Sequence, residues 1–236
     1  MNGTKELAVV MPVYNEEACI EDVVESWHDT LCSLNIDFRL FILNDGSRDG
    51  TEKCLEKYAG HSRITVINKP NSGHGPTILS GYWLAVDEAE WIFQVDSDDE
   101  MSPCHFDGLW DNRGGFGALF GIRTDRSQGL GRRVISAVSR ATVRLICGKG
   151  VIDVNVPYRL IRASLLKGIL PHIPADTFAP NIIISGALAT DGGQIGNFPV
   201  PHVCRKTGTV SIVRWGLWKV AFRSLLQTIR CRPRLS

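Results

Sequence analysis

At 236 residues, with 44% apolar and 22% charged side chains, the chain can bury a substantial core as one large domain, or as one domain with an appended tail. A formal net charge of +1 excludes a global field that would draw in nucleic acid. Seven cysteines without CxxC or zinc-like spacing exclude a recognisable metal or disulfide framework and read most simply as reduced thiols in a cytosolic protein.

Residues 7–13, "LAVVMPV", are short, continuously apolar and β-branched, which predicts a buried strand. Residues 15–34 place Ile20, Val23, Val24, Trp27 and Leu31 at helical spacing, with acids crowded into the first turn. "DFRLFIL" (37–43) predicts a second strand, followed by the turn "NDGSRDGT" (44–51), another helix and the strand "ITVIN" (64–68). A glycine-rich loop, "KPNSGHG", then opens a helix with Pro76 near its first turn. "WIFQV" (91–95) predicts a fourth strand, which ends in Asp96, Asp98, Asp99 and Glu100. Strand and helix alternating over about a hundred residues imply an α/β fold, a mostly parallel sheet with helices on both faces. Ligands bind such sheets outside the carboxyl ends of the strands. "PVYNEE", "LNDGSRDGT" and "VDSDDE" are therefore expected at one edge.

Farther on, "GALFGIRTD" reads as a short strand and loop, and "VPYRLIRASLL" passes from strand to helix. "IGNFPVPHVCRKTG" reads as a strand leading into a loop, and residues 132–147 as a helix with Arg133, Arg140 and Arg144 near one side. No acid follows Asp191, whereas Arg205, Lys206, Arg214, Lys219, Arg223, Arg230, Arg232 and Arg234 do. With Trp218, Phe222, Leu225 and Ile229 at helical spacing, this end suits an anionic lipid surface, or packs its apolar face on the domain with the cations solvated. No apolar stretch approaches the ~20 residues that span a bilayer. The N-terminus lacks the basic start and long apolar core of a signal peptide. A cytoplasmic protein, or one peripheral at the cytoplasmic face of a membrane, is expected.

Acids held close together repel one another and resist desolvation unless a cation neutralises them. On an extended path Asp96 and Asp98 point to the same side, and Glu100 joins them if that path continues. Three hard oxygen donors suit Mg2+ or Mn2+, which keep further positions for water and substrate phosphates. A solvated acidic loop is the bland alternative for a bare D-x-D. Tyr14 can lie along a flat nucleobase, Asp45 can accept from a base N–H and Glu16 can take ribose hydroxyls.

In combination, "PVYNE" (12–16), "NDGSRDGT" (44–51), "NSGHG" (71–75) and "DSD" (96–98) resemble the family 2 glycosyltransferases of GT-A fold. "GIR" (121–123), "GRRVIS" (131–136), "DVNVPYRLIR" (153–162) and "HVCRKTG" (202–208) resemble their dolichyl-phosphate mannosyltransferase-like branch. The resemblance covers residues 7 to 210. It implies a GT-A catalytic domain over 1–210 and a basic amphipathic tail over 211–236.

It further implies that Pro12, Tyr14 and Glu16 border the nucleotide of a sugar donor and that Asp45 reads its base. Asp96 and Asp98 would hold the divalent ion, with Glu100, where the family often has Gln, as a further ligand. Arg123 and Arg159 would meet phosphate oxygens, and Arg132 or Arg133 likewise, because a guanidinium binds phosphate at two points. Arg159 and Arg162 can instead be the exposed side of an edge strand. Arg205 is the expected acceptor-phosphate contact, with His202 structural. Asn44 replaces the usual first Asp of D-D-G-S, Pro76 replaces a common Ala, and "GTVSI" (208–212) lacks the serine-lysine of many mannosyltransferases.

The implied reaction is inverting transfer from a UDP- or GDP-linked sugar, with charge on the leaving diphosphate stabilised electrophilically. A polyprenyl phosphate acceptor is already an anionic nucleophile and needs no base. A hydroxyl acceptor, on a glycan or secondary metabolite, needs a carboxylate such as Asp153 or Asp99. A nucleotide-sugar-binding pseudoenzyme is a third reading. A nucleotidyltransferase would show a glycine-rich loop with Lys or Arg where this chain has "PVYNEE".

Overall fold

The computed structural model of the chain describes residues 4–123, 152–190 and 194–201. The strands β1 (Lys5–Val13), β2 (Phe38–Asn44), β3 (Ile64–Asn68) and β4 (Ala89–Val95) alternate with α1 (Ile20–Ser33), α2 (Thr51–Leu55) and α3 (His74–Ala85), as the apolar pattern predicts. In β1 every residue from Leu7 to Val13 is buried, because helices cover both faces of the sheet and period-two alternation has no solvent side to report. In α1 the five apolar positions picked out by helical spacing are the five that are buried. Glu21 and Asp22 sit in its first turn, where the helix dipole favours them. The helix stops at Ser33, and Asn35, in the left-handed region at φ 53°, turns the chain toward β2.

Seven strands form one sheet in the order β3-β2-β1-β4-β6-β5-β7, where β5 is Ala118–Arg123, β6 is Tyr158–Arg162 and β7 is Ile195–Val200. The first four are parallel, β6 runs antiparallel to both β4 and β5, and β7 returns parallel to β5. The sheet is thus mostly parallel. Neighbouring residues of β4 show what covers it. The Phe93 ring lies 5.2 Å from Trp27 of α1, while Gln94 on the opposite face meets Tyr82 of α3. Trp27, Phe93, Phe106 and Tyr158 form an aromatic cluster with centroids 4.7 to 6.0 Å apart, locking α1 onto β4 and β6. A buried side chain the size of Trp27 contributes about 3–5 kcal/mol relative to Ala. On the other face Gly81 lets α3 lie flat on the sheet, since a Cβ there would come within 2.3 Å of Val10 Cγ1.

Two helices carry no clear signal in the sequence. The short α4 (Phe106–Asp111) follows a turn opened by Ser102, and α6 (Pro180–Thr190) is buried from Pro180 to Leu188. Between them α5 (Ala163–Ile169) continues directly from β6, as expected. The helix predicted over 132–147 and the tail over 211–236 lie outside the described residues. Among the described residues no helix is long and apolar enough to cross a membrane.

Candidate active site

Because β2, β1 and β4 are adjacent and parallel, the loops after Asn44, Val13 and Val95 leave the sheet side by side at its carboxyl edge. The strand order reverses here. The chain runs outward from β1 to β3 and then returns to place β4 on the other side of β1, which opens a crevice between them. The three chemically distinctive segments meet at this crevice.

The first two loops are zipped together. Asn15, at φ 55°, receives a hydrogen bond at its side-chain oxygen from Arg48 N (2.7 Å), and its own N–H donates to Ser47 Oγ (3.0 Å). Glu16 N donates to Thr51 Oγ1 at 2.9 Å, and Gly50 N to Glu17 Oε2 at 2.9 Å. Burial works against the charge of Asp49, but the Thr51 hydroxyl and the Thr51 and Glu17 amides outweigh it and hold the carboxyl below its ordinary range. Tyr14 is half-buried at the loop edge, whereas Pro12 is enclosed in β1. Glu16 is 9% exposed and its Oε2 accepts from Cys19 Sγ at 3.5 Å, so it is embedded beneath the loop rather than laid along it.

Asp45 is 3% exposed and anchors the glycine-rich segment. Its Oδ1 pairs with Lys69 and accepts from Ser72 N (2.8 Å), and its Oδ2 accepts from Gly73 N (2.9 Å). Burial pushes this carboxyl up, but Lys69, the Ser72 amide and the Thr77 hydroxyl together bring it below its ordinary value. Oδ1 thus takes the Lys69 and Ser72 donors, and Oδ2 takes the Gly73 amide. Lys69 also donates to Ser72 Oγ (2.7 Å), Thr77 Oγ1 (3.0 Å) and Pro70 O (3.1 Å). Sequence reasoning missed Lys69; the signal was a lysine opening a glycine-rich turn that faces an aspartate.

The 69–73 segment delivers the N-terminus of α3 to the crevice. Gly75 fits there because a Cβ would meet the carbonyl oxygens of Thr177 and Phe178 at 2.3 Å. His74, also missed, sets its Nε2 3.7 Å from Asp96 Oδ1. The Asp96 side chain is three-quarters buried, and burial pushes its carboxyl upward; His74, Arg123 and the Gln94 amide oppose this only in part. Asp98 is half-buried, and its Oδ1 accepts from Glu100 N at 3.2 Å. The expectation for Glu100 is corrected in one respect. Asp99 adopts φ 56°, so the extended path that would align Glu100 with Asp96 and Asp98 ends there. Among the described residues no group of three or more His, Cys, Asp or Glu side chains is placed to hold a metal ion. The chemistry of the donors still fits a divalent ion. Asp96 and Asp98 offer hard oxygen donors, one of them in a setting that disfavours an uncompensated negative charge, and Mg2+ or Mn2+ typically takes only one or two carboxylates and completes its shell from water and phosphate.

Arg123, at the end of β5, is clamped by Asp153: Nε to Oδ2 is 2.9 Å and Nη2 to Oδ1 is 3.3 Å. Arg159 is corrected outright. It is fully buried on β6, which lies between β4 and β5 rather than at an edge. Its guanidinium donates to Val156 O (2.9 Å), Asn181 O (3.1 Å) and Val154 O (3.2 Å), with Ser185 Oγ at 3.4 Å. Burial pulls its pKa down to about 10. It stiffens the wall beneath the crevice and does not reach phosphate oxygens. Arg132, Arg133, His202 and Arg205 lie outside the described residues.

Residues 8–133, more than half of the chain, match the family model described as glycosyl transferase family 2. The chain belongs to that family. Among curated family relatives, the undecaprenyl-phosphate 4-deoxy-4-formamido-L-arabinose transferase of Pseudomonas aeruginosa is 26% identical over 178 residues, covering 74% of this chain and 52% of that protein. The enzyme of the same name from Edwardsiella ictaluri is 25% identical over 218 residues, covering 91% and 64%. This family 2 chain therefore spans about half to two-thirds of the length of those relatives. Its backbone resembles that of glucosyl-3-phosphoglycerate synthase from Mycobacterium tuberculosis in complex with Mn2+, UDP and phosphoglyceric acid. The TM-score is 0.72 at 19% identity, covering 97% of this chain and 78% of that one. The GT-A fold is thereby shown.

Proposed function

We propose that the protein transfers a sugar, with inversion, from a UDP- or GDP-linked donor to a polyprenyl phosphate. The observation that carries this reading is the placement of Asp96 and Asp98 at the switch point, beside β1 and facing the N-terminus of α3. The diphosphate of the donor lies across that crevice, with the base against Tyr14 and Asp45. Asp96 and Asp98 would hold a divalent cation, which would supply electrophilic stabilisation of the departing diphosphate. The first turn of α3 adds the backbone N–H groups of His74 and Gly75 where negative charge develops. Arg123, kept in place by Asp153, contributes positive potential from the opposite wall.

Two observations support a phosphate over a hydroxyl acceptor. Relatives with this domain are named for undecaprenyl phosphate. In addition, both oxygens of Asp153, one of the two carboxylates (with Asp99) expected to act as base toward a hydroxyl, are engaged by the Arg123 guanidinium. An anionic acceptor needs no base. The basic stretch from Arg205 to Arg234 supports attachment at an anionic membrane surface, where such an acceptor resides.

A thermal-shift screen of nucleotide sugars with and without Mn2+, followed by product analysis, tests the reading. UDP- or GDP-sugars should raise the melting temperature only with metal, and the sugar should appear on undecaprenyl phosphate in preference to soluble hydroxyl acceptors. Asp98→Asn should abolish transfer. A flat response to every nucleotide sugar, or turnover unaffected by Asp98→Asn, overturns it.

A further inference from the structure

We propose that Gln94, oriented by the Tyr82 hydroxyl, is a positioning residue for Asp96. It ties one carboxylate oxygen to the sheet so that the other is presented to a cation. This rests on the functional reading above, in which Asp96 is a metal ligand.

Gln94 is an amide set in the buried apolar run Trp91–Val95 of β4, and it is fully buried. An amide in that position is costly unless its hydrogen bonds are made. Tyr82, also fully buried, donates its hydroxyl to Gln94 Oε1 at 2.9 Å. Period-two alternation puts Gln94 and Asp96 on the same face of β4, and Gln94 Nε2 reaches Asp96 Oδ1 at 3.4 Å. The two bonds fix each other. With Oε1 occupied by the hydroxyl, the N–H end of the amide must face the carboxylate. The flipped amide would set oxygen against an anionic oxygen.

Asp96 Oδ1 is therefore held from below by Gln94 and flanked by His74 Nε2 at 3.7 Å. Oδ2 accepts no hydrogen bond among the described residues. A carboxylate with one oxygen restrained and the other available binds a cation through a single, defined oxygen. Such supporting hydrogen bonds typically carry about 10–100-fold in metal affinity. Nothing in this pair touches substrate, so its effect reaches the reaction only through Asp96.

The test uses the full chain with UDP and measures Mn2+ binding by electron paramagnetic resonance. Wild type, Gln94→Leu, Tyr82→Phe and the double variant are compared. Gln94→Leu should weaken Mn2+ by about 10–100-fold, with transfer recovering at saturating Mn2+. Tyr82→Phe, which keeps the ring in its cavity, should weaken Mn2+ by a smaller factor on its own and by none in the Gln94→Leu background. Mn2+ affinity within about twofold of wild type in Gln94→Leu overturns the proposal. So does a Tyr82→Phe effect of equal size in both backgrounds, since the hydroxyl would then act by another route. Should Gln94→Leu fail to fold, undiminished Mn2+ affinity in Tyr82→Phe overturns it alone. A wild-type protein that binds no Mn2+ removes this proposal and the functional reading together, whereas the other outcomes leave that reading standing.

Discussion

Replacing Asp45 by Asn isolates the anchor that holds the glycine-rich segment to the sheet edge. The ion pair with Lys69 is well enclosed, with side-chain exposures of 5% for Asp45 and 18% for Lys69. Removing one partner of a buried pair costs about 3–5 kcal/mol, because the other charge is left uncompensated. Asn retains one acceptor oxygen for the Ser72 or Gly73 amide, so the lower figure, about 3 kcal/mol, applies. For a chain of this size the melting temperature should fall by about 6–12 °C. The acid limb gives a second readout. The folded-state pKa of Asp45 is depressed. Its contribution is therefore fully present above the unfolded value of about 3.9, and is lost as pH falls through the lower folded value. The gap between wild type and Asp45→Asn should be widest near neutrality and close in acid. Calorimetric or circular-dichroism melts across that range measure both. Melting within about 2 °C of wild type at neutral pH, or a gap that stays constant into acid, would refute the reasoning.

Gly75→Ala should destabilise the protein by about 2 kcal/mol in urea unfolding, although Ala gains about 1 kcal/mol of helix propensity, because its Cβ must displace two backbone carbonyls that lie 2.3 Å away. The same change should impair transfer, since it moves the first turn of α3. Asp153→Asn should lower transfer to lipid phosphate by about tenfold, through a less restrained Arg123, and leave the pH–rate profile unchanged in shape; a loss beyond about a thousandfold would identify Asp153 as a proton acceptor after all.

Much of the site was legible because its placement follows from local pattern. Continuous apolar runs marked β1, β2 and β4, and parallel alternation alone brings Tyr14, Asp45 and Asp96 to one edge. What escaped depends on non-local partners or on backbone conformations without a reliable residue signature. Asp99 in the left-handed region is not announced by its identity, and it decides where Glu100 points. The anchoring of Asp45 by Lys69 joins residues 24 apart in sequence. The helix α6 is buried along nearly its whole length, Asn181 and Ser185 included, so the periodicity that exposed α1 is absent.

Arg159 shows why charge on a strand is ambiguous. Alternation with Tyr158 and Leu160 reads as a solvent face, or as a hand extended to substrate, only if one side of the sheet is open. Here both sides are covered, and the carbonyls that satisfy the guanidinium come partly from Asn181, on a helix the sequence did not reveal. Gln94, its cross-strand neighbour, has the same origin: a polar residue on a covered face. In a sheet buried on both faces, a polar side chain in an apolar strand therefore implies an internal network. The carboxyl edge, where backbone pairing ends, is where such a network can act on chemistry. The Tyr82–Gln94–Asp96 chain reaches that edge, whereas the Arg159 network closes on carbonyls beneath it.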